Sequence, residues 1–297
     1  GRNFSKNIWN AFRLTQGWEV DESRDQVASS AVAVEWMESR IQEVIEGLEG
    51  QFSEFRLSEA LMSTYRLVWD DFCSWYLELI KPPYGEPIDR KTMDATVVIF
   101  EDLLKLLHPF MPFITEEIWH WIRERTNPEE AICIAQWPEK KTMNAALLQE
   151  FTPFQQAVAE IRTIRKNNQI PQREGLELNI QLGKDYPQSL ESAMVKLTNL
   201  SRVVRVEEKV PNAFGFVIGT TSFFIPFGAA VDVEAEKAKI QKEIDHLNGF
   251  LNGVRGKLSN ERFVQNAPGN VVDLERKKES DALSKLTVLE TKLAELG

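Results

Sequence analysis

LLHPFMPFITEEIWHWI, Leu106 to Ile122, reads as two helices joined by a corner. Pro109 and Pro112 cannot continue the helix that precedes them, because proline lacks the N–H and its ring clashes with the previous turn. Thr115 is then the predicted cap of a new helix, with Glu116 and Glu117 at its positive end. Ile118, Trp119 and Ile122 make the apolar stripe of that helix. Physics alone predicts a helix–break–helix corner whose aromatic side chains are buried.

Working outward from this corner, the first part of the chain is helical throughout. In GRNFSKNIWNAFRL, Phe4, Ile8 and Phe12 recur every four residues, so an amphipathic helix opens the sequence. Its cations are Arg2, Lys6 and Arg13, and no acid occurs before Glu19. Two readings stand for these cations: a face that meets phosphates, or a face that only meets water. A second helix is predicted over Val27 to Leu48 and a third over Leu57 to Ile80, stopped by Pro82 and Pro83. Met93 to Leu107 is the fourth, and the corner supplies the fifth. All eight tryptophans lie in this part (9, 18, 36, 69, 75, 119, 121 and 137), which predicts a bundle with a large aromatic core. Ile132 to Ile134 reads as a short strand leading out.

From Leu147 the texture changes. Phe154 to Lys166 is helical and runs into IRTIRKNNQIPQR, which carries Arg162, Arg165, Lys166 and Arg173 with no acid among them. Leu176 to Leu182 alternates as a strand does. Pro187 to Leu200 is helical again, and Val203 to Val206 and Phe214 to Phe227 are β-rich. From Val231 the spacing becomes 4-3-4-3-4 through Ile240, Ile244, Leu247, Leu251, Val254 and Leu258. Ala282, Leu286, Leu289, Leu293 and Leu296 repeat it on a second helix. These are coiled-coil seams. Pro268 and Gly269 lie between them, so the prediction is an antiparallel arm with roughly 45 Å of reach for 30 residues. The expected fold is mainly α and multidomain: a helical bundle over 1–145, a small α+β subdomain over 146–230 and a coiled-coil hairpin over 231–297.

The arm has an unusual face. Gly249, Gly253 and Gly256 form one stripe of the outgoing helix, at roughly 1 kcal/mol of helix stability each relative to alanine. Beside it run Asn248, Asn252, Arg255 and Ser259, and Arg262, Lys277 and Lys278 add charge toward the turn. Such a face either admits a sugar–phosphate backbone closely or receives another part of the protein.

Bulk composition bounds the function. Net charge is −10, and it resides in the predicted bundle; the other two parts are within one charge of neutrality. An acidic chain binds nucleic acid only through local basic patches. No apolar run is long enough to span a bilayer. Cys73 and Cys133 are far apart and read as buried thiols of a reducing cytoplasm rather than a disulfide or zinc site. His108, His120 and His246 have neither ligand nor triad spacing, and no glycine-rich phosphate loop occurs. No residues are assigned to catalysis, to a cofactor or to a metal.

Three stretches resemble valyl-tRNA synthetases, class I enzymes: GRNFSKNIWNAFRL, LLHPFMPFITEEIWHWI, and KLSNERFVQNAPGNVVDLERKKESDALSKL. The middle one is shared with the isoleucine and leucine enzymes; the last distinguishes the valine enzyme. The resemblance covers essentially the whole sequence and implies the part that follows the catalytic domain. The two ATP-handling motifs of class I synthetases, of the types His-Ile-Gly-His and Lys-Met-Ser-Lys-Ser, are absent. KLSNE at Lys257 to Glu261 is a faint echo of the second in the wrong setting. The resemblance implies a cytoplasmic monomer whose parent enzyme charges tRNA(Val) with valine using ATP and Mg2+. It further implies that the bundle reads the anticodon and the arm touches the corner of the tRNA. Arg2, Lys6, Arg13, Trp18, Arg162, Arg165 and Lys166 are then anticodon-side candidates. Asn248, Asn252, Gly253, Arg255, Arg262, Lys277 and Lys278 are the arm's candidates. Trp18 either stacks on a base or packs beneath its loop. The competing readings are a helical scaffold that dimerises through its coiled coil, and the tail of a sister synthetase.

Overall fold

The computed structural model describes residues 2–226, 233–259 and 269–295. By proximity the chain divides into two compact units. One comprises Gly1–Leu176, Gly183–Arg202 and Ile218–Thr221; the other comprises Glu177–Leu182, Val203–Val217 and Ser222–Gly297.

The first unit is a helical bundle. Its helices are α1 (Arg2–Gln16), α2 (Ala28–Ser53), α3 (Leu57–Arg66), α4 (Leu77–Ile80), α5 (Arg90–Leu107), α6 (Pro112–Ile122), α7 (Ala145–Asn167) and α8 (Glu191–Thr198). Between α3 and α4 the chain stays helical but widens to a π-helix over Leu67–Tyr76. Val68, Phe72, Tyr76 and Ile80 recur at strict steps of four, and all are buried. Steps of four overshoot the 3.6-residue α-turn, and the wider π-turn keeps all four facing the core. Trp36 on α2 lies at the centre, 1% exposed, with its ring stacked on Phe151 of α7 at 3.8 Å.

The corner forms, with a different start. Helix α6 begins at Pro112, and Met111 at its N-cap gives no side-chain hydrogen bond. Thr115 is therefore not the cap. It is fully buried inside the helix, where its hydroxyl meets Met111 O at 2.9 Å and His108 Nδ1 at 2.8 Å. Pro112 needs no N–H at the first helical position, which lets the helix start four residues early. His108 ends α5 and ties the two helices through Thr115, a structural role. The expectation of uniformly buried aromatics fails: Trp119 is buried, but Phe113 is 90% and Trp121 63% exposed.

Two features escaped the sequence. Val20–Asp21 (β1) and Ile88–Asp89 (β2) pair in parallel, which closes the loop after α1 against the start of α5. Asp89 then caps α5, accepting from Thr92 N at 2.7 Å. Ile132–Ile134 is a single 3-10 turn rather than a strand.

The second unit holds most of a four-stranded sheet in the order β4 (Leu200–Arg205), β3 (Leu176–Gln181), β6 (Thr221–Pro226), β5 (Ala213–Ile218). Strands β3 and β6 are antiparallel, with Asn179 opposite Phe224. Gly219, at φ +56°, makes the tight turn between β5 and β6. The same unit contains two long helices, α9 (Val233–Leu258) and α10 (Gly269–Glu295). Ile240 and Ile244 pack with Leu289 and Leu293, while Leu247 and Leu251 pack with Ala282 and Leu286. Rising numbers on one helix meet falling numbers on the other, so the pair is antiparallel. Leu296 lies outside the described residues.

Trp36 tests the placement of the bundle core. Trp36→Ala should cost about 3–5 kcal/mol, the usual range for emptying a buried aromatic site. Urea unfolding measures it; a loss below about 1 kcal/mol would mean that the core lies elsewhere.

Candidate nucleic-acid interface

Helix α1 buries Phe4, Ile8, Ala11 and Phe12 and turns Lys6, Asn10 and Arg13 to solvent. Those three lie at steps of four and three, one face of a helix. Gly17 continues the line, exposed, and Trp18 follows it half-buried. Asn10 was not picked out from the sequence; its place in the line between the two cations was the available signal. Lys6 and Arg13 have no ion-pair partner among the described residues. By contrast Arg24, Arg40, Arg56, Arg90, Arg123 and Arg125 each hold a carboxylate. The backbone of Arg2 begins α1; its side chain lies outside the described residues.

The second cationic group sits at the end of α7. Arg162 and Lys166 are exposed one turn apart, and Arg173 is exposed in the loop that follows. The negative end of the helix dipole favours cations there. Arg165 does not join them. It is 1% exposed and points inward. Its guanidinium donates to Pro171 O at 2.9 Å, to Glu174 O and Thr198 O at 2.8 Å, and to Asn199 O at 3.1 Å. Its Nε is without an acceptor, and desolvation pulls its pKa down. The expectation that Arg165 meets RNA is thus corrected. It ties the end of α7 to the loop and to the end of α8, where Asn199 adopts a left-handed conformation at φ 49°. It stands four residues after the buried Ile161, and this spacing places it on the inner face of α7.

On the arm, Asn248, Asn252 and Gly253 are exposed. A Cβ placed on Gly249, Gly253 or Gly256 would meet nothing within 4 Å. Among the described residues no part of the protein therefore packs on this stripe. Arg255 is exposed but reaches across to Glu279 Oε1 at 2.7 Å, a tie between α9 and α10. Lys278 binds Glu275 at 2.8 Å. Lys277 is exposed and has no ion pair among the described residues. Arg262 lies outside them.

The thiols separate: burial pushes Cys73 up to about 12, whereas Cys133 is exposed rather than buried. Among the described residues no three His, Cys, Asp or Glu side chains gather as metal ligands, and no helix is long and apolar enough to cross a membrane.

Comparison with known proteins places this geometry. The family described as the anticodon-binding domain of tRNA ligase matches residues 34–180. The valyl tRNA synthetase tRNA binding arm matches residues 232–297. The chain is 44% identical over 297 residues to a valine–tRNA ligase of Christiangramia forsetii, all of this chain and 34% of that protein. The chain belongs to the valine–tRNA ligase family. It is 44% identical over 296 residues to the ligase of Parabacteroides distasonis, and 32% identical over 317 residues to that of Bacillus subtilis. It covers 34% and 35% of those ligases, so it spans about a third of their length and corresponds to their C-terminal part. The anticodon-domain match begins inside α2 and leaves α1 and its cations outside, although the alignment to the valine–tRNA ligases includes them.

The two kinds of cation on α7 should separate experimentally. Arg165→Met leaves four carbonyls without their shared donor and should destabilise the protein by roughly 2–4 kcal/mol. Arg162→Ala should change stability by less than about 0.5 kcal/mol. Chemical denaturation of both variants checks this; equal effects would contradict the division.

Proposed function

We propose that this chain is the tRNA grip of a valine–tRNA ligase whose remaining parts charge tRNA(Val) with valine. Three functional parts follow: an anticodon-binding bundle over 1–145, a small α+β connector over 146–230 and a coiled-coil tRNA arm over 231–297. ATP and Mg2+ would be handled by the remaining parts of the ligase. The ligase would act as a cytoplasmic monomer.

One observation carries this reading. In a bundle whose arginines are mostly neutralised by carboxylates, Lys6 with Arg13 on α1 and Arg162 with Lys166 on α7 are exposed and unpaired among the described residues, while Arg66 and Lys91 are each the sole such cation of their helix. Solvated cations without partners are the groups that neutralise phosphates and release counterions. Arg2, with its side chain undescribed, extends the α1 set. Trp18, half-buried, offers one ring edge or face to a base, and base–aromatic stacking contributes about 1–3 kcal/mol.

For the arm, the open glycine stripe flanked by Asn248 and Asn252 is the proposed contact with the tRNA corner, with Lys277 and Arg262 supplying charge. Backbone atoms of a helix approach a sugar–phosphate chain most closely where no side chain intervenes. Arg255 contributes by fixing α9 to α10 through Glu279, whereas Lys278 pairs with Glu275 within α10.

Gly253→Leu tests the arm. The substitution meets open space and replaces a poor helix former by a good one, so helix content by circular dichroism should hold or rise. Affinity for full-length tRNA should fall severalfold, and affinity for an anticodon stem-loop, which lacks the corner, should not change. Unaltered binding of full-length tRNA would remove the stripe from the interface.

A further inference from the structure

A cavity of about 240 Å³ opens in the bundle unit where α4 ends and α5 begins. Its walls are mostly apolar and include Val27, Ile80, Pro82, Pro83 and Ile88, and Lys196 of α8 lines it too. The amine of Lys196 makes a single described hydrogen bond, donating to Leu79 O at 2.5 Å. It has no ion-pair partner among the described residues. The carboxylate of Asp89, which also lines the cavity, accepts from Thr92 N as the cap of α5. Arg24, the other cation of the cavity, is occupied by Glu86 and Pro87 O. Arg24 and Asp89 are thus the other charged groups of the cavity, and Glu78 of α4 acts on the amine through its charge.

An ammonium held against proline and isoleucine without a counter-ion loses hydration and recovers little. We propose that this cavity is an acylation site, in which the Lys196 amine reacts with a small acyl phosphate. The neutral Nζ attacks the carbonyl carbon, the C–N bond forms, and the C–O bond to phosphate breaks. Phosphate leaves with its electron pair and the amine proton passes to solvent. The acyl group then occupies the cavity, and the new amide N–H can still donate to Leu79 O.

Desolvation supports the chemistry: it lowers the Lys196 pKa to about 8, with Glu78 only partly opposing. An ordinary lysine titrates near 10.4, so the neutral fraction at pH 8 is roughly a hundred times larger at Lys196. Lower basicity weakens each neutral amine, leaving a net advantage of about tenfold.

The experiment uses the intact chain with acetyl phosphate at pH 8, following each lysine by peptide mass spectrometry. Lys196 should be acetylated about ten times faster than the exposed Lys6, Lys91 and Lys184, and its rate should level off above pH 8 while theirs still rises. In 8 M urea the advantage should vanish, because the cavity is gone. A Lys196 rate at or below that of the exposed lysines would overturn the proposal. So would an advantage that survives urea, since it would come from local sequence.

Discussion

The bundle depends on one constraint: α2 must be buried along most of its length. It packs against α3, the π-helical segment, α4, α5, α7 and α8. A helix surrounded in this way cannot carry a single apolar stripe, and it does not. Trp36, Met37, Ile41, Val44, Ile45 and Leu48 are buried beside Ser29, Ser30, Ser39 and Gln42. Two of the polar members, Gln42 and Ser39, bind backbone. Gln42 receives Lys141 N at 2.8 Å and donates to Glu139 O at 3.3 Å, and Ser39 receives Asn144 N at 3.0 Å. An extended segment is thereby fastened along α2, and Asn144 at its end caps α7, accepting from Leu147 N at 3.1 Å. The position of α7, and with it the Arg162 and Lys166 face, follows from side chains on α2.

Charge is organised by the same economy. The bundle is strongly acidic, yet its arginines are consumed locally: Arg40 by Asp71 at 2.9 Å, Arg125 by Glu101 and the ring of Trp119. These pairs are partly buried, Arg125 with Glu101 most of all, and each withdraws a cation from the surface. Those that remain on α1 and α7 define where a polyanion could settle on an otherwise repulsive surface. Arg165 is the exception that explains its neighbours. Sequestered among carbonyl oxygens, it fixes the loop that carries Arg173 without offering charge to solvent.

Much of this was legible in the sequence, because apolar spacing and proline position carry the information. The helices of the bundle, the strand at Leu176 and the seam of α9 with α10 all follow from it. Beyond the β1–β2 pairing and the turn at Ile132–Ile134, three things were not legible. The inward turn of Arg165 depends on which side of α7 meets the rest of the unit, and a cation gives no hint of that. The early start of α6 was hidden because Thr115 and the two glutamates imitate a cap, whereas Pro112 satisfies the first turn by itself. The exposure of Phe113 and Trp121 was missed because aromatic residues ordinarily signal core, and neither lies on the inward face with Ile118 and Trp119. For the interface, exposed cations could be nominated from sequence, but only the fold distinguishes Lys6, unpaired among the described residues, from Arg255, which is held by Glu279.

The central claim is that this chain grips tRNA(Val) through local cations on an acidic body. Titration of the isolated chain with tRNA(Val) and with a non-cognate tRNA, each at 50 mM and 200 mM salt, tests it most directly. The account predicts that both affinities fall with salt, as phosphate contacts require, and that tRNA(Val) binds about tenfold or more tighter at both concentrations. Equal affinity for the two tRNAs, or binding indifferent to salt, would contradict it.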